Sequence, residues 1–170
     1  MKTYLAPFAV ALAVSVLPAA AQNEPDARAT FVDTDGNQTG SAAIYASPTG
    51  VLISLDIEGL PADSWVSFHV HENGTCEPES AFESAGGHFN PDGAEHGYFV
   101  DGGPHPGDMP NQHVDANGRL LAHVFNGYAR LDEGVAAIRG RALMIHDGQD
   151  DYRSQPSGDA GERVACAVVE

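Results

Sequence analysis

The chain has 170 residues, 24 acidic side chains against 8 basic ones, and a formal net charge of −16. Without Lys2, which belongs to the leader described next, residues 22–170 hold 7 basic against 24 acidic side chains, a net charge of −17. A surface this acidic repels nucleic acid and anionic lipid and excludes both as main partners; it bears on solubility rather than on fold.

Met1–Ala21 has the make-up of a secretory signal. Lys2 supplies the positive end, Leu5 to Leu17 the apolar stretch, and Ala19-Ala20-Ala21 a small-residue cleavage site. The apolar run is too short to span a bilayer and is punctuated by Pro7 and Pro18. No cysteine follows it, which argues against a lipid anchor. The expectation is an exported protein, periplasmic or otherwise secreted, free of the membrane after cleavage. The remaining 149 residues, 22–170, suffice for one domain with a core. Gln22 to Arg28 is polar and reads as a loose arm.

The body of the chain reads as short strands joined by turns. Ala29 to Thr34 leads into Asp35-Gly36, a hairpin signal. Gly40 to Ala46 follows, then Pro48-Thr49-Gly50 turns into Val51 to Ile57. Gly59 to Ser64 breaks the pattern before a strand that starts at Trp65. Gln112 to Asp115 and Leu120 to Phe125 flank Asn117-Gly118, a second hairpin signal. Ala142 to His146 and Arg163 to Val169 complete the set. No stretch shows a sustained helical period with caps, so an antiparallel all-β domain, sandwich or barrel, is expected. Two segments rich in Gly, Pro, Asp and Asn interrupt it: Glu72 to Asn111 and Asp147 to Glu162. A loop of about forty residues in a compact domain is uncommon unless it is functional or held by something other than packing. Cys76 and Cys166, the two cysteines, fit one disulfide in an oxidising compartment. It would close a loop of about ninety residues, worth about 4–5 kcal/mol on chain-entropy grounds. C-x-x-C spacing is absent, so a thioredoxin-type pair and a zinc knuckle do not fit.

The histidines carry the chemistry. They stand at 69, 71, 88, 96, 105, 113, 123 and 146. On a strand, residues two apart share a face, so His69 and His71 of W-V-S-F-H-V-H point one way while Val66, Phe68 and Val70 point to the core. Two imidazoles on a rigid strand make a platform for a transition metal. His88, His96 and His105 lie in the first long segment, and His105 is three residues from Asp108 across a Pro-Gly turn. Three nitrogens and a carboxylate make a closed, tetrahedral zinc site of the structural type. Each of these loop histidines alone is ordinarily solvated; together, in a loop with little core of its own, they favour metal. His146 ends a strand, with Asp150 four residues on. His113 and His123 have no ligand-like partner and read as surface or packing residues. A metalloprotease helix is excluded, because His71-Glu72 is followed by Thr75 where the second histidine is needed.

H-V-H at 69–71, G-G-H-F-N-P at 86–91, H-P-G-D at 105–108, M-I-H-D at 144–147 and G-D-A-G-E-R-V-A-C at 158–166 together resemble the copper/zinc superoxide dismutases. H-E-N-G-T-C at 71–76 and Asp150-Asp151-Tyr152 are similar to the bacterial, exported branch. The resemblance spans nearly all of 22–170 and implies an eight-stranded antiparallel Greek-key barrel with two long functional loops. It implies copper on His69, His71, His88 and His146, and zinc on His88, His96, His105 and Asp108, with His88 bridging the metals. Asp150 is implied as the outer carboxylate joining one ligand of each metal, Arg163 as the guanidinium at the mouth of the copper site, and Cys76 with Cys166 as the disulfide. The implied reaction is dismutation of superoxide to oxygen and hydrogen peroxide, with His88 delivering a proton and Arg163 receiving the anion, in antioxidant defence outside the cytoplasm by a monomer or homodimer. Ser67, Asp159 and Ala167 depart from the residues usual in the family, and Glu162 sits beside Arg163; Asp159 and Glu162 bear on the rate, since they put carboxylates near an anion's path. Two rival readings are a metal storage or delivery module without turnover, which would be expected to lack a ligand or the arginine, and a secreted zinc hydrolase, which needs an open zinc position.

Overall fold

Alternating burial sets the strands. In β1 (Ala27–Asp33), Ala27, Ala29 and Phe31 turn inward while Arg28 and Thr30 face solvent. This computed structural model describes residues 24–170, so the leader expected over Met1–Ala21 lies outside the described residues. Seven further strands follow: β2 (Gln38–Ser47), β3 (Gly50–Ile57), β4 (Trp65–His71), β5 (Gln112–His113), β6 (Leu120–Asn126), β7 (Ala142–His146) and β8 (Arg163–Val168). They form one sheet in the order β5-β4-β7-β8-β1-β2-β3-β6, antiparallel throughout. The sheet curls until β5 and β6, its two ends, approach each other, giving the nearly closed all-β barrel expected. Closure buries Phe31, Ile44, Ile53, Leu55, Ile57, Val66, Phe68, Val70, Leu143 and Ile145 inside.

Three local expectations are corrected. Asp26 is no part of a loose arm: its N–H donates to the Ile44 carbonyl (2.9 Å) and its carboxylate accepts from Ala46 N (2.8 Å), extending the β1–β2 pairing. Asn117-Gly118 does turn the chain, with Asp115 Oδ1 accepting from Asn117 N and Arg119 N and Gly118 at φ +78°. The flanking strands, however, do not pair as a hairpin. β5 pairs with β4 and β6 with β3, at the two ends of the sheet. The first long loop also carries more core than its composition suggests, burying Phe82, Ala85, Phe89 and Met109.

Those residues matter for what covers β4. Its inward face packs Val66, Phe68 and Val70 into the main core, yet Ser67, His69 and His71 on the other face are buried as well. The loops 72–111 and 147–162 lie over them. The first contains only two short 3₁₀ turns, Pro78–Ser80 and Glu83–Ala85. It is anchored by a small second cluster of Phe82, Ala85, Ala142, Met144 and Cys166, against which Val32 and Cys76 pack. The Cys76–Cys166 disulfide, with Cα atoms 5.6 Å apart, ties the loop to β8.

Candidate metal centre

Register places the first donors. β4 and β7 pair Ser67 with His146 and His69 with Met144, so His146 emerges on the same face as His69 and His71. On the other side of β7, Ile145 pairs with Ala165 but His146 pairs with Arg163. Val164 is thus the extra residue of a bulge, and the bulge re-aims the chain so that Arg163 stands beside His146. The loop donors reach β4 through irregular bridges, His71 with His88 and His69 with Asp108. Backbone bonds pin these bridges: Phe89 N to Val70 O (2.8 Å), Val70 N to Gly107 O (2.8 Å) and Gly107 N to Phe89 O (3.0 Å).

Two groups of donor atoms result, His69-His71-His88-His146 and His88-His96-His105-Asp108, each with its atoms within 4.8 Å of one another. His88 belongs to both. The hydrogen bonds decide which nitrogens carry lone pairs. His71 Nδ1 donates to Gly86 O (2.9 Å) and His146 Nδ1 to Gly161 O (3.2 Å), so their Nε2 atoms are both acceptors, yet they face each other at 3.3 Å. His69 Nε2 donates to Asp150 Oδ2 (2.8 Å), leaving its buried Nδ1 without a partner; His88 Nε2 is buried and partnerless too. Two opposed lone pairs and two orphaned nitrogens converging on one point are what a cation would satisfy.

The second group makes the same case. Asp108 Oδ2 accepts from Gly97 N (2.9 Å) and His105 N (3.0 Å). Asp108 Oδ1 meets three imidazole nitrogens, Nδ1 of His88 (3.1 Å), His96 (3.1 Å) and His105 (3.2 Å). His96 already donates through Nε2 to Asp150 Oδ1 (2.9 Å), so its neutral form turns a lone pair toward the carboxylate. Donors at metal bond lengths of about 2.0–2.1 Å around a tetrahedral ion stand about 3.3 Å apart, close to these separations. Both groups therefore fit metal ions, the first rich in imidazole and the second mixed and closed.

The electrostatics agree. Burial, helped by the neighbouring His88, holds His69 down at about 3 despite its bond to Asp150. Burial likewise holds His146 at about 4, keeps His71 well below the ordinary histidine value and lowers His88. Neutral imidazoles are what a metal needs. Burial opposes charge on His96 as well, but its bonds to Asp108 and Asp150 outweigh this and raise it to about 9. That spot favours a positive charge, which a proton or a metal ion can supply. Burial works against ionisation of Asp108 and Asp150, yet the histidines bonded to each hold both carboxyls well below the usual range.

Asp150 joins the groups, with one oxygen on His69 and the other on His96. Arg163, half-buried, donates to the carbonyls of Phe82 and Gly86, and Gly86 O also accepts from His71. All the expected site residues thus assemble in one place, while His113 and His123 stay exposed, His113 edge-on to Trp65. Three supporting residues were not anticipated. Asn111 holds the Asp150 backbone from both sides, accepting from its N–H (2.9 Å) and donating to its carbonyl (2.8 Å). Gln155 does the same for His96 (2.8 and 2.9 Å). Gly158, at φ +73°, lies where a Cβ would stand 1.9 Å from Asp150 Oδ1. Only Gly158, in the glycine-rich 158–161 run, leaves a signal in the sequence.

Comparison with known proteins agrees with this geometry. Residues 29–169 match the family model described as copper/zinc superoxide dismutase. The chain is 44% identical over 147 residues to superoxide dismutase [Cu-Zn] 2 of Aquifex aeolicus, covering 84% of this chain and 85% of that one. Among solved structures, a superoxide dismutase-like protein from Bacillus subtilis superposes with a TM-score of 0.78 at 34% identity, over 82% of this chain and 95% of that one. The Cu/Zn superoxide dismutase from Brucella abortus gives 0.70 at 30%, over 84% and 98%. A match of that extent, on a barrel whose histidine groups suit two metals, means that the chain belongs to the copper/zinc superoxide dismutase family and is an oxidoreductase with copper and zinc as its cofactors.

Proposed function

We propose that the protein dismutes superoxide to oxygen and hydrogen peroxide at copper held by His69, His71, His88 and His146, with His88 shared as a bridge to zinc held by His88, His96, His105 and Asp108, and that it does so outside the cytoplasm. The observation that carries this reading is His88. It is the one residue common to both donor groups, its Nδ1 facing Asp108 and its Nε2 buried without a partner. Four imidazoles suit copper, and three imidazoles with a carboxylate and no open position suit structural zinc.

Copper held there would supply a one-electron redox couple, and zinc would supply fixed positive charge next to His88. The chain's residues do the rest. The guanidinium of Arg163 is always charged and offers paired N–H donors to a small anion. Its bonds to the Phe82 and Gly86 carbonyls aim it without neutralising it. His88 Nε2 would hold a proton and hand it to the superoxide that becomes peroxide, with the second proton coming from solvent. Two superoxides and two protons thus become one oxygen and one hydrogen peroxide. Asp150 fixes the rings of His69 and His96 and so ties the two groups together. The disulfide is consistent with an oxidising compartment, and no helix among the described residues is long and apolar enough to cross a membrane.

His88→Ala is the deciding variant. Metal analysis of the purified protein, alongside a superoxide-consumption assay, is expected to show wild type with both metals and His88→Ala with activity lost and both affinities weakened. A variant that keeps wild-type turnover and weakens neither metal would remove the shared ligand from the mechanism.

A further inference from the structure

Arg141 stands immediately before β7, outside both donor groups, and grips the segment that carries His88. Its guanidinium carbon lies 3.7 Å from the centroid of the Phe89 ring, and Phe89 is buried. Nη1 donates to the carbonyl of Glu72, and Nε to the carbonyl of Ala137 (2.9 Å). Glu72 in turn is bonded to Gly87 twice, its N–H donating to Gly87 O (3.0 Å) and its Oε1 accepting from Gly87 N (3.2 Å). Arg141 therefore reaches both neighbours of His88, Phe89 by stacking and Gly87 through Glu72. The arginine itself is anchored on either side, by Arg141 N to Ile138 O (3.0 Å) and Val169 N to Arg141 O (3.0 Å).

We propose that Arg141 is a positioning residue for His88, holding the imidazole in the one orientation that presents Nδ1 and Nε2 to two sites at once. This rests on reading His88 as the shared ligand. The other histidines of the first group sit on strands with ladder bonds along them, whereas His88 lies in a loop, with an isolated bridge to His71, the Phe89 backbone bonds to Val70 and Gly107 beside it, and an Nδ1 contact to Asp108. Its ring direction therefore depends on what grips its neighbours. Only a planar guanidinium can stack on an aromatic face while donating in its own plane to two carbonyls, so lysine is no equivalent here.

The test reads the bridge rather than turnover. With Cu(II) loaded at both sites, an imidazolate shared between them couples the two spins, and electron paramagnetic resonance shows that coupling directly. Wild type is expected to be coupled. Arg141→Gln is expected to lose coupling, showing two independent Cu(II) signals, with copper bound about tenfold more weakly. Arg141→Lys is expected to restore little of it. Phe89→Leu, which removes the stacked ring and leaves Arg141 in place, gives the same loss and decides the matter if Arg141→Gln does not fold. Full coupling in the variants, whatever their melting temperatures, would reduce Arg141 to a structural clip and overturn the proposal. An uncoupled wild type would overturn the shared-ligand reading, and the proposal with it.

Discussion

Single atoms set the tolerances of the site, and Gly158 shows how tight they are. An added Cβ would stand 1.9 Å from Asp150 Oδ1 and 2.6 Å from His96 Nε2, at a positive φ that L-residues rarely adopt. Gly158→Ala should break the His96–Asp150 link and weaken zinc retention against a chelator by about 10–100-fold, as losses of such outer partners do. Gly93→Ala is the control: it shares a positive φ, but nothing lies within 4 Å of its Cβ position, so metal retention should be unchanged. Equal retention in the two variants would remove Asp150 from the metal scaffold. His69→Ala should separate the sites the other way, losing copper and activity while zinc persists, because His69 lies outside the second donor group. Elemental analysis of the purified variant checks this. Of the proposed ligands, His69 and His71 were legible in the sequence because strand period puts them on one face, while the copper role of His88 and His146 came only through the family resemblance. Asn111 and Gln155 were not, since each acts through backbone contacts between loops far apart in the chain and no local pattern marks such a pair.

At the scale of elements, the strands follow their alternation and turn residues closely, and four of the seven pairings (β1–β2, β2–β3, β4–β5 and β7–β8) join consecutive strands, whereas β4–β7, β1–β8 and β3–β6 do not. β5 and β6 flank a good hairpin turn yet belong to opposite ends of the sheet, and only closure of the barrel settles that. The segment Gly127 to Arg141, which buries Ala129, Leu131 and Ile138, has no period to reveal it. Phe82 was hidden for another reason. It is buried in a left-handed conformation, φ +63°, directly after Ala81 at +47°, which nothing in a loop-rich stretch announces. Phe82 and the disulfide together fasten the first long loop to β7 and β8, and the same loop supplies both carbonyls that hold Arg163. Reducing Cys76–Cys166 should therefore lower melting temperature and activity together, with a stability loss of about 2–5 kcal/mol. Reduced protein that keeps its melting temperature and loses only activity would show that the disulfide aims Arg163 without bracing the loop.

For the whole molecule, charge poses the sharpest question, because an anionic substrate must approach a chain whose residues 22–170 carry −17. Bound metal ions offset only a small part of this. The basic residues after Lys2 are all arginines, and Arg28, Arg119 and Arg139 spend their charge on Glu24, Asp56 and Asp132. Arg130, Arg141, Arg153 and Arg163 bond to carbonyls instead, and of these Arg163 is the one paired with His146, so its charge remains available beside the first donor group. Screening confines long-range repulsion to about 8–10 Å at physiological salt, and within that range Arg163 and the metal charge act together on an arriving anion. Glu162 and Asp159, both exposed and close to Arg163 in the chain, oppose them. Arg163→Ala should lower the bimolecular rate without displacing either metal, whereas Glu162→Gln and Asp159→Asn should raise it, most at low salt. In wild type the sign of the salt effect identifies which field governs capture: a rate falling with ionic strength reports the positive pocket, and a rising one the acidic surface. The expected outcome is a shallow fall, measured by pulse radiolysis across an ionic-strength series. A steep rise would mean that the overall negative field reaches the mouth of the site and that local focusing by Arg163 does not overcome it.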